Sequence, residues 1–332
     1  MRVAWRRDDA AIEADAIEFW TRNGLLPEGV DPAARAKELI AAAYKDGRLA
    51  AVATATIGRM DFLRANFAII RGATAPEFRR SHAQLSLSAP GRAAMHAWAR
   101  DHPEEKYAGA IVFVDRGEWG DFCRLPVWPE SELEVVGYDQ HGRQIRVRWF
   151  EDFRYDGPPE GPPVPPVPPV LPTGIDLRTA WQRGDAGIAA DAAAFWGRLG
   201  NLPADVTPEQ RAREVVLAAY QDDRMVGLVT ASMGVFPQVR ARLAMLRGAV
   251  DPEFRRSHIG AAMLLEARAV LESWSAANPR ERLAGLGGIL DSPDLLLVQR
   301  QPYWQVSSFG VVGFIPDGRQ SRVSWFRDFR LD

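Results

Sequence analysis

Sulfur chemistry is nearly absent from this chain, which has one cysteine, Cys123, in 332 residues. A single thiol forms no disulfide within the chain, no thiolate metal cluster and no CxxC redox pair, so a reducing cytoplasm is the simplest setting. Long apolar runs are missing too. No stretch of about 18 apolar residues occurs, and the opening MRVAWRRDDAAIEADAIEFW carries acids where a signal peptide has its apolar centre, so no membrane segment is expected. Charge of one sign is scarce: 41 Lys and Arg against 43 Asp and Glu leave a net charge of -2, too little to draw nucleic acid or an anionic bilayer. Histidine is thin. Residues 176–332 hold only His258 and no cysteine, which excludes a histidine metal cluster or a Cys–His nucleophile pair there, and His82, His96, His102 and His141 in the first half show no ligand spacing. No metal is expected.

What is present is a duplication. Apolar residues make up 47% of the chain, enough for two packed cores. Shifted by 176 residues, the chain aligns with itself without a gap: Ala4-Trp5 meets Ala180-Trp181, Arg71-Gly72-Ala73 meets Arg247-Gly248-Ala249, and 68 of 156 paired positions are identical. A period of this length is a repeated domain, not a solenoid. The copies occupy residues 1–156 and 176–332. Between them, residues 157–175 are rich in proline, which favours an extended spacer. Trp20/Trp196, Trp98/Trp274, Trp128/Trp304 and Trp149/Trp325 recur in both copies, a pattern that favours core packing over a surface for stacking bases.

Each copy reads as a short strand, an amphipathic helix (residues 9–23 and 185–199), a second helix after Asp31-Pro32 or Thr207-Pro208, and a hairpin. In the second copy, a strand at 242–250 leads through a loop to a long helix at 259–276 and a strand at 283–290. A glycine turn, His141-Gly142 or Asp317-Gly318, closes each copy with a final hairpin. The fold class is α+β: two tandem domains, each a mixed, mostly antiparallel sheet flanked by helices.

The crossover carries the chemistry. In RGAVDPEFRRSHIGAA a strand ends, Asp-Pro turns the chain, Arg255 and Arg256 follow, and Ser257, His258, Ile259, Gly260 and Ala261 enter a helix. The first helical turn presents unpaired N–H groups and the positive end of the dipole, and Gly260 lets an anion approach the backbone. Both arginines can add charge-assisted bonds, with Ser257 and His258 as further donors. A plain strand-to-helix turn with solvated arginines reads equally well from the loop alone.

The order of elements around this loop resembles the GNAT superfamily of acyl-CoA-dependent N-acyltransferases. That family ends its fourth strand in Pro-x-Tyr/Phe-Arg and a Gln/Arg-x-x-Gly-x-Gly/Ala loop. Pro252-x-Phe254-Arg255 and Arg255-x-x-His258-x-Gly260 match, with His258 in place of the first glycine. The resemblance spans nearly all of each copy. It implies acetyl-CoA or another acyl-CoA as co-substrate, pantetheine held by main-chain groups of Gly248, Ala249 and Val250, pyrophosphate held by the loop amides, and direct attack by an amine on a small molecule or peptide. A tyrosine after the fifth strand acts as general acid in such enzymes, which places Tyr303 as the candidate. The glycines at 285, 287 and 288 lie inside a strand rather than in a dinucleotide loop, and are expected to open the gap for the pantetheine arm.

The first copy diverges within its loop. Gln84 stands where Gly260 does, and Pro90 falls where the helix should continue, so this helix is expected to start late, near Ser88, and the copy to have lost the co-substrate. A non-catalytic acyl-CoA sensor or interaction scaffold fits the same loop. So does an aminoacyl or peptidyl transferase of duplicated GNAT-like fold, though the weak basic character disfavours RNA. A homodimer stays open.

Overall fold

A computed structural model describes residues 1–79, 87–155, 168–200, 202, 204–255, 257–290 and 299–332. The chain divides into two compact units, Met1–Pro163 with Leu296–Pro302, and Val164–Leu295 with Tyr303–Asp332. Each is built on one mixed sheet.

In the first unit the strands are β1 (Arg2–Val3), β2 (Leu39–Lys45), β3 (Arg48–Met60), β4 (Ala65–Thr74), β5 (Tyr107–Val114), β6 (Glu134–Tyr138) and β7 (Gln144–Trp149). Their order is β1-β2-β3-β4-β5-β7-β6, and only β4 and β5 run parallel. In the second unit β8 (Ile175–Thr179), β9 (Val215–Gln221), β10 (Arg224–Phe236), β11 (Ala241–Val250), β12 (Leu283–Ile289), β13 (Tyr303–Trp304), β14 (Phe309–Phe314) and β15 (Gln320–Trp325) take the order β13-β14-β15-β12-β11-β10-β9-β8. Here β11 and β12 are the parallel pair. One strand–helix–strand crossover therefore sits at the centre of each antiparallel sheet, as the sequence pattern predicts.

Helices cover both faces. Helix α1 (Ala10–Asn23) begins because Asp9 accepts bonds from the amides of Ala11 and Ile12, and it stops at Gly24 in a left-handed conformation. Helix α2 (Pro32–Ala36) starts at the Asp31 cap. Helix α3 (Ser88–Asp101) is the late-starting crossover helix of the first copy, within one residue of the expected N-cap. In the second copy α4 (Ala186–Leu199) repeats α1, α5 (Pro208–Ala212) starts in a Thr207–Gln210 capping box, and α6 (Ile259–Ala277) is the long crossover helix. The buried stripe of α6 is Ile259, Met263, Ala267 and Leu271, spaced by four so that all four point the same way. It packs on Val226, Val229, Ala231, Ala244, Leu283 and Leu286, while α4 buries Ile188, Phe195 and Trp196 against Ala218, Tyr220 and Leu228 on the opposite face.

The tryptophans behave as packing groups: Trp20, Trp128, Trp149, Trp196 and Trp325 are all buried. Two of the largest fully buried side chains are arginines, Arg146 and Arg322, one in each copy. Each guanidinium lies over an indole, Trp128 at 4.5 Å and Trp304 at 4.2 Å, and Arg146 also bonds the carbonyls of Cys123 and Leu125. Burial pulls the Arg146 guanidinium down to about 10.

The β12 glycines do different things. An added Cβ at Gly285 would lie 2.4 Å from the Ser324 carbonyl oxygen, and at Gly287 2.4 Å from the Met245 sulfur, so these two allow close packing of neighbours. Gly288 has open space around it. Close packing of neighbours thus accounts for Gly285 and Gly287, and does not account for Gly288. Gly285→Ala should destabilise the second unit by about 1–3 kcal/mol in a urea titration, through overpacking against backbone. Gly234→Ala, whose Cβ would meet nothing within 4 Å, should leave the midpoint unchanged or slightly raised.

Candidate functional site

The site begins where the parallel pair comes apart. β11 pairs with β10 along its whole length, but with β12 only from Arg242↔Leu283 to Met245↔Gly287. Beyond that point Gly288 and Ile289 keep their partners on β15, and among the described residues 246–250 have no ladder partner on the β12 side. A wedge opens in the sheet, floored by Met245 and Gly287. The bond from the Asp251 N–H to the Val226 carbonyl, 2.8 Å, fixes which peptide groups point into it. Backbone groups alternate along an antiparallel ladder, so those of Ala249 and Arg247 face β10, while those of Leu246, Gly248 and Val250 face the wedge. Of the strand residues expected to hold the pantetheine arm, Gly248 and Val250 are therefore oriented into the gap and Ala249 is turned away.

The upper end of this edge runs directly into the loop. Asp251 caps a short turn, Pro252–Phe254, by accepting from the Glu253 N–H, and the Ser257 hydroxyl donates to the Phe254 carbonyl. Arg255 is extended and exposed; Arg256 lies outside the described residues. His258 then adopts φ 65°, ψ 0°, the left-handed region. Glycine is the usual occupant of that conformation and histidine a tolerated one, so the replacement leaves the course of the loop intact. The first helical bond runs from the Ala262 N–H to the His258 carbonyl, and the His258 side chain makes no capping bond to the amides that follow it. Gly260 and Ala261 are exposed, and a Cβ at Gly260 would only touch Val250 at 3.6 Å. Packing does not require this glycine. What it does is keep the backbone bare at a helix N-terminus that faces solvent.

Electrostatics fix the turn below. The Asp251 carboxylate is 4% exposed and meets two cations, Arg224 at 2.8 Å and Arg198 at 3.4 Å. Burial alone would raise its pKa. The Glu253 N–H, Arg224 and Arg198 outweigh that and hold it below the ordinary carboxylate range. The sequence carried a signal for this group that was easy to pass over: the counterpart of Asp251 in the other copy is Ala75.

The first copy keeps the wedge and changes the loop. β4 pairs with β5 only from Asn66↔Tyr107 to Ile69↔Ile111. Its helix begins at Ser88, five residues after position 83, the counterpart of Ile259. At 1.5 Å per residue the N-terminus recedes by roughly 7.5 Å. Gln84 lies outside the described residues.

Tyr303 does not join the group. It stands in line with the floor of the wedge through the pairings Tyr303↔Gly310, Gly310↔Val323, Val323↔Gly287 and Gly287↔Met245. Those are four strand spacings, or about 19 Å of backbone separation, further than a phenol side chain extends. The expected acid is thus placed on the outermost strand, away from the edge of β11. Among the described residues no three His, Cys, Asp or Glu side chains come together as a metal site, and no helix is long and apolar enough to cross a membrane.

No protein-family model and no curated protein sequence matches this chain. Among solved structures it is similar to an acetyltransferase of the GNAT family from Streptococcus pneumoniae, with 16% identity over 45% of this chain and 96% of that one and a TM-score of 0.32. It is likewise similar to the ribosomal-protein-S18-alanine N-acetyltransferase from Escherichia coli (16% identity, 45% and 90% covered, TM-score 0.27) and to the ribosomal-protein-S5-alanine acetyltransferase from Vibrio fischeri (14%, 48% and 96%, TM-score 0.32). Similarity at this identity and score decides nothing about chemistry, which the chain's own residues must supply.

The left-handed His258 generates a direct test. His258→Gly should fold with stability within about 1 kcal/mol of wild type, since relief of strain offsets the added freedom of the unfolded chain. His258→Val, β-branched at positive φ, should cost about 1–3 kcal/mol by thermal melting.

Proposed function

We propose that the second copy, residues 176–332, binds acetyl-CoA or another acyl-CoA and transfers its acyl group to an amine, and that the first copy is a degenerate relative that lost the co-substrate. One observation carries this reading: an unpaired strand edge and an uncapped, solvent-facing helix N-terminus lie in continuous sequence, at the two ends of one wedge. An acyl-CoA has matching parts, an extended amide-bearing arm and a pyrophosphate.

The residues present fit such a ligand. The amides of Ile259, Gly260 and Ala261, with the helix dipole, would hold the pyrophosphate, and Arg255 and His258 could add donors, as could Arg256, which lies outside the described residues; the Ser257 hydroxyl is already given to the Phe254 carbonyl. Gly248 and Val250 would pair with the pantetheine arm as a neighbouring strand does. A wedge-facing N–H, that of Gly248 or Leu246, would donate to the thioester carbonyl as charge builds on its oxygen. The neutral amine of the acceptor then forms the C–N bond as the C–S bond breaks; the amine loses one proton to solvent or a base, and the thiolate gains one. The backbone of Tyr303 lies on the outermost strand, which favours water or another donor as the source of that proton.

Calorimetry should find one CoA per chain. Gly260→Glu sets a carboxylate against the helix N-terminus and should abolish binding, whereas Gln84→Glu should change affinity less than about twofold. Two CoA per chain, or equal losses from both variants, overturns the asymmetric assignment. Turnover is read as free thiol released with a panel of amines. General acid catalysis contributes about 10² to 10⁴ in rate, so a change of less than about threefold in Tyr303→Phe is expected if the strand order is decisive, and a hundredfold loss would restore its role as the acid. Binding without thiol release from any amine favours the sensor reading.

A further inference from the structure

The duplicated chain contains its own control for the anion cradle. From Pro252 to His258 the sequence is identical to that from Pro76 to His82, and both copies form the same short turn, Pro252–Phe254 and Pro76–Phe78. Immediately afterwards they separate. Arg79 stays in the helical region at φ -57°, ψ -24°, while Arg255 is extended at φ -63°, ψ 149°. Identical residues taking different courses are steered by what they are tied to. Immediately before the turn, the copies differ in charge at Asp251 against Ala75.

Asp251 is not needed to make the turn, because the turn forms on Ala75 as well. Its carboxylate instead joins three separate elements: the start of the turn through the Glu253 N–H, the end of α4 through Arg198, and the β9–β10 hairpin through Arg224, which also meets Glu253 at 3.0 Å. The first copy retains both arginines. Arg22 pairs with Glu18 at 3.1 Å and Arg48 with Glu77 at 3.7 Å. The four charges of the second-copy cluster cancel, two arginines against two carboxylates, so the cluster adds no net attraction for a phosphate. Its contribution is geometric.

We infer that Asp251 is a positioning residue: it anchors the turn to α4 and the β9–β10 hairpin so that the chain leaves Arg255 extended and delivers the bare amides of Ile259, Gly260 and Ala261 to the end of the β11 edge. The ligand assigned to those amides rests on the acyl-CoA reading; the anchoring does not. Hydrogen exchange on the ligand-free full chain separates the two. In Asp251→Ala, exchange of the amides of residues 262–265, the first hydrogen-bonded ones of α6, should accelerate at least about tenfold while α4 and the β9–β10 ladder exchange as in wild type. Arg198→Gln combined with Arg224→Gln should reproduce the acceleration with the carboxylate still present, and Asp251→Asn, which keeps the acceptor for the Glu253 N–H, should fall between. Glu253→Ala should stay within about twofold of wild type, because the first copy keeps the equivalent acid at Glu77 without the extended course. The consequence for binding is read with two probes: CoA should bind Asp251→Ala at least about tenfold more weakly than wild type, whereas S-acetylpantetheine, which lacks the pyrophosphate, should bind both alike. Unchanged exchange in Asp251→Ala overturns the inference, as does equal weakening of the two probes, which would mean a general loss of structure. Failure of wild type to bind CoA at all overturns the acyl-CoA reading and leaves the exchange result to decide the anchoring.

Discussion

Everything at the candidate site follows from the parting of two parallel strands. β11 is committed to β10 over ten residues and β12 to β15 over five, and the two share only four pairs before they diverge. At this edge Gly248 is exposed and Leu246 and Val250 are partly buried, so its peptide groups are open to water or to a ligand that replaces it. A protein keeps such an edge where something else completes it. Its peptide groups alternate so that Leu246, Gly248 and Val250 are the ones turned to the gap.

The loop and helix above the wedge extend the same logic. The chain must turn, pass a left-handed residue and begin a helix within eight positions, and each step has its own support. Asp251 ties the turn to α4 and the β9–β10 hairpin, the Ser257 hydroxyl closes it onto Phe254, His258 accepts a backbone angle that most side chains resist, and Ile259 drops into the core beside Val250. The outcome is a helix whose first amides are rigidly placed and unshielded. In the first copy the wedge survives but the described helix starts at Ser88, so its first amides stand five positions further along the chain.

Much of this was legible in the residues themselves. Spacings of three and four gave the helices, Asp-Pro and Thr-Pro gave their starts, and the glycine turns gave the hairpins, because each of these is a local preference that tertiary contacts did not need to override. The late start of α3 was readable from Pro90 for the same reason: a fixed φ and a missing N–H act within one turn. Tyr303 was not readable. Its distance along the chain from β12 says little about its place in a sheet whose order runs β13-β14-β15-β12, and the outer strand is carried three strands away by hairpins that sequence alone does not orient. The glycines of β12 were half readable, since a strand glycine signals close approach of something, backbone or ligand, without saying which.

The sequence by itself determined the duplication, the order of helices and strands and the presence of an exposed glycine at a helix start, all of which depend on neighbours within a few positions or on direct comparison of the two copies. Only the tertiary structure decided that Arg146 and Arg322 are core residues over indoles, that Asp251 ties three elements together, and which peptide groups of β11 face the wedge. Each of those is set by register between segments far apart in sequence. A shift of a single residue in pairing exchanges the two edges and the two faces of a strand, so the same residues in another register would present a different site.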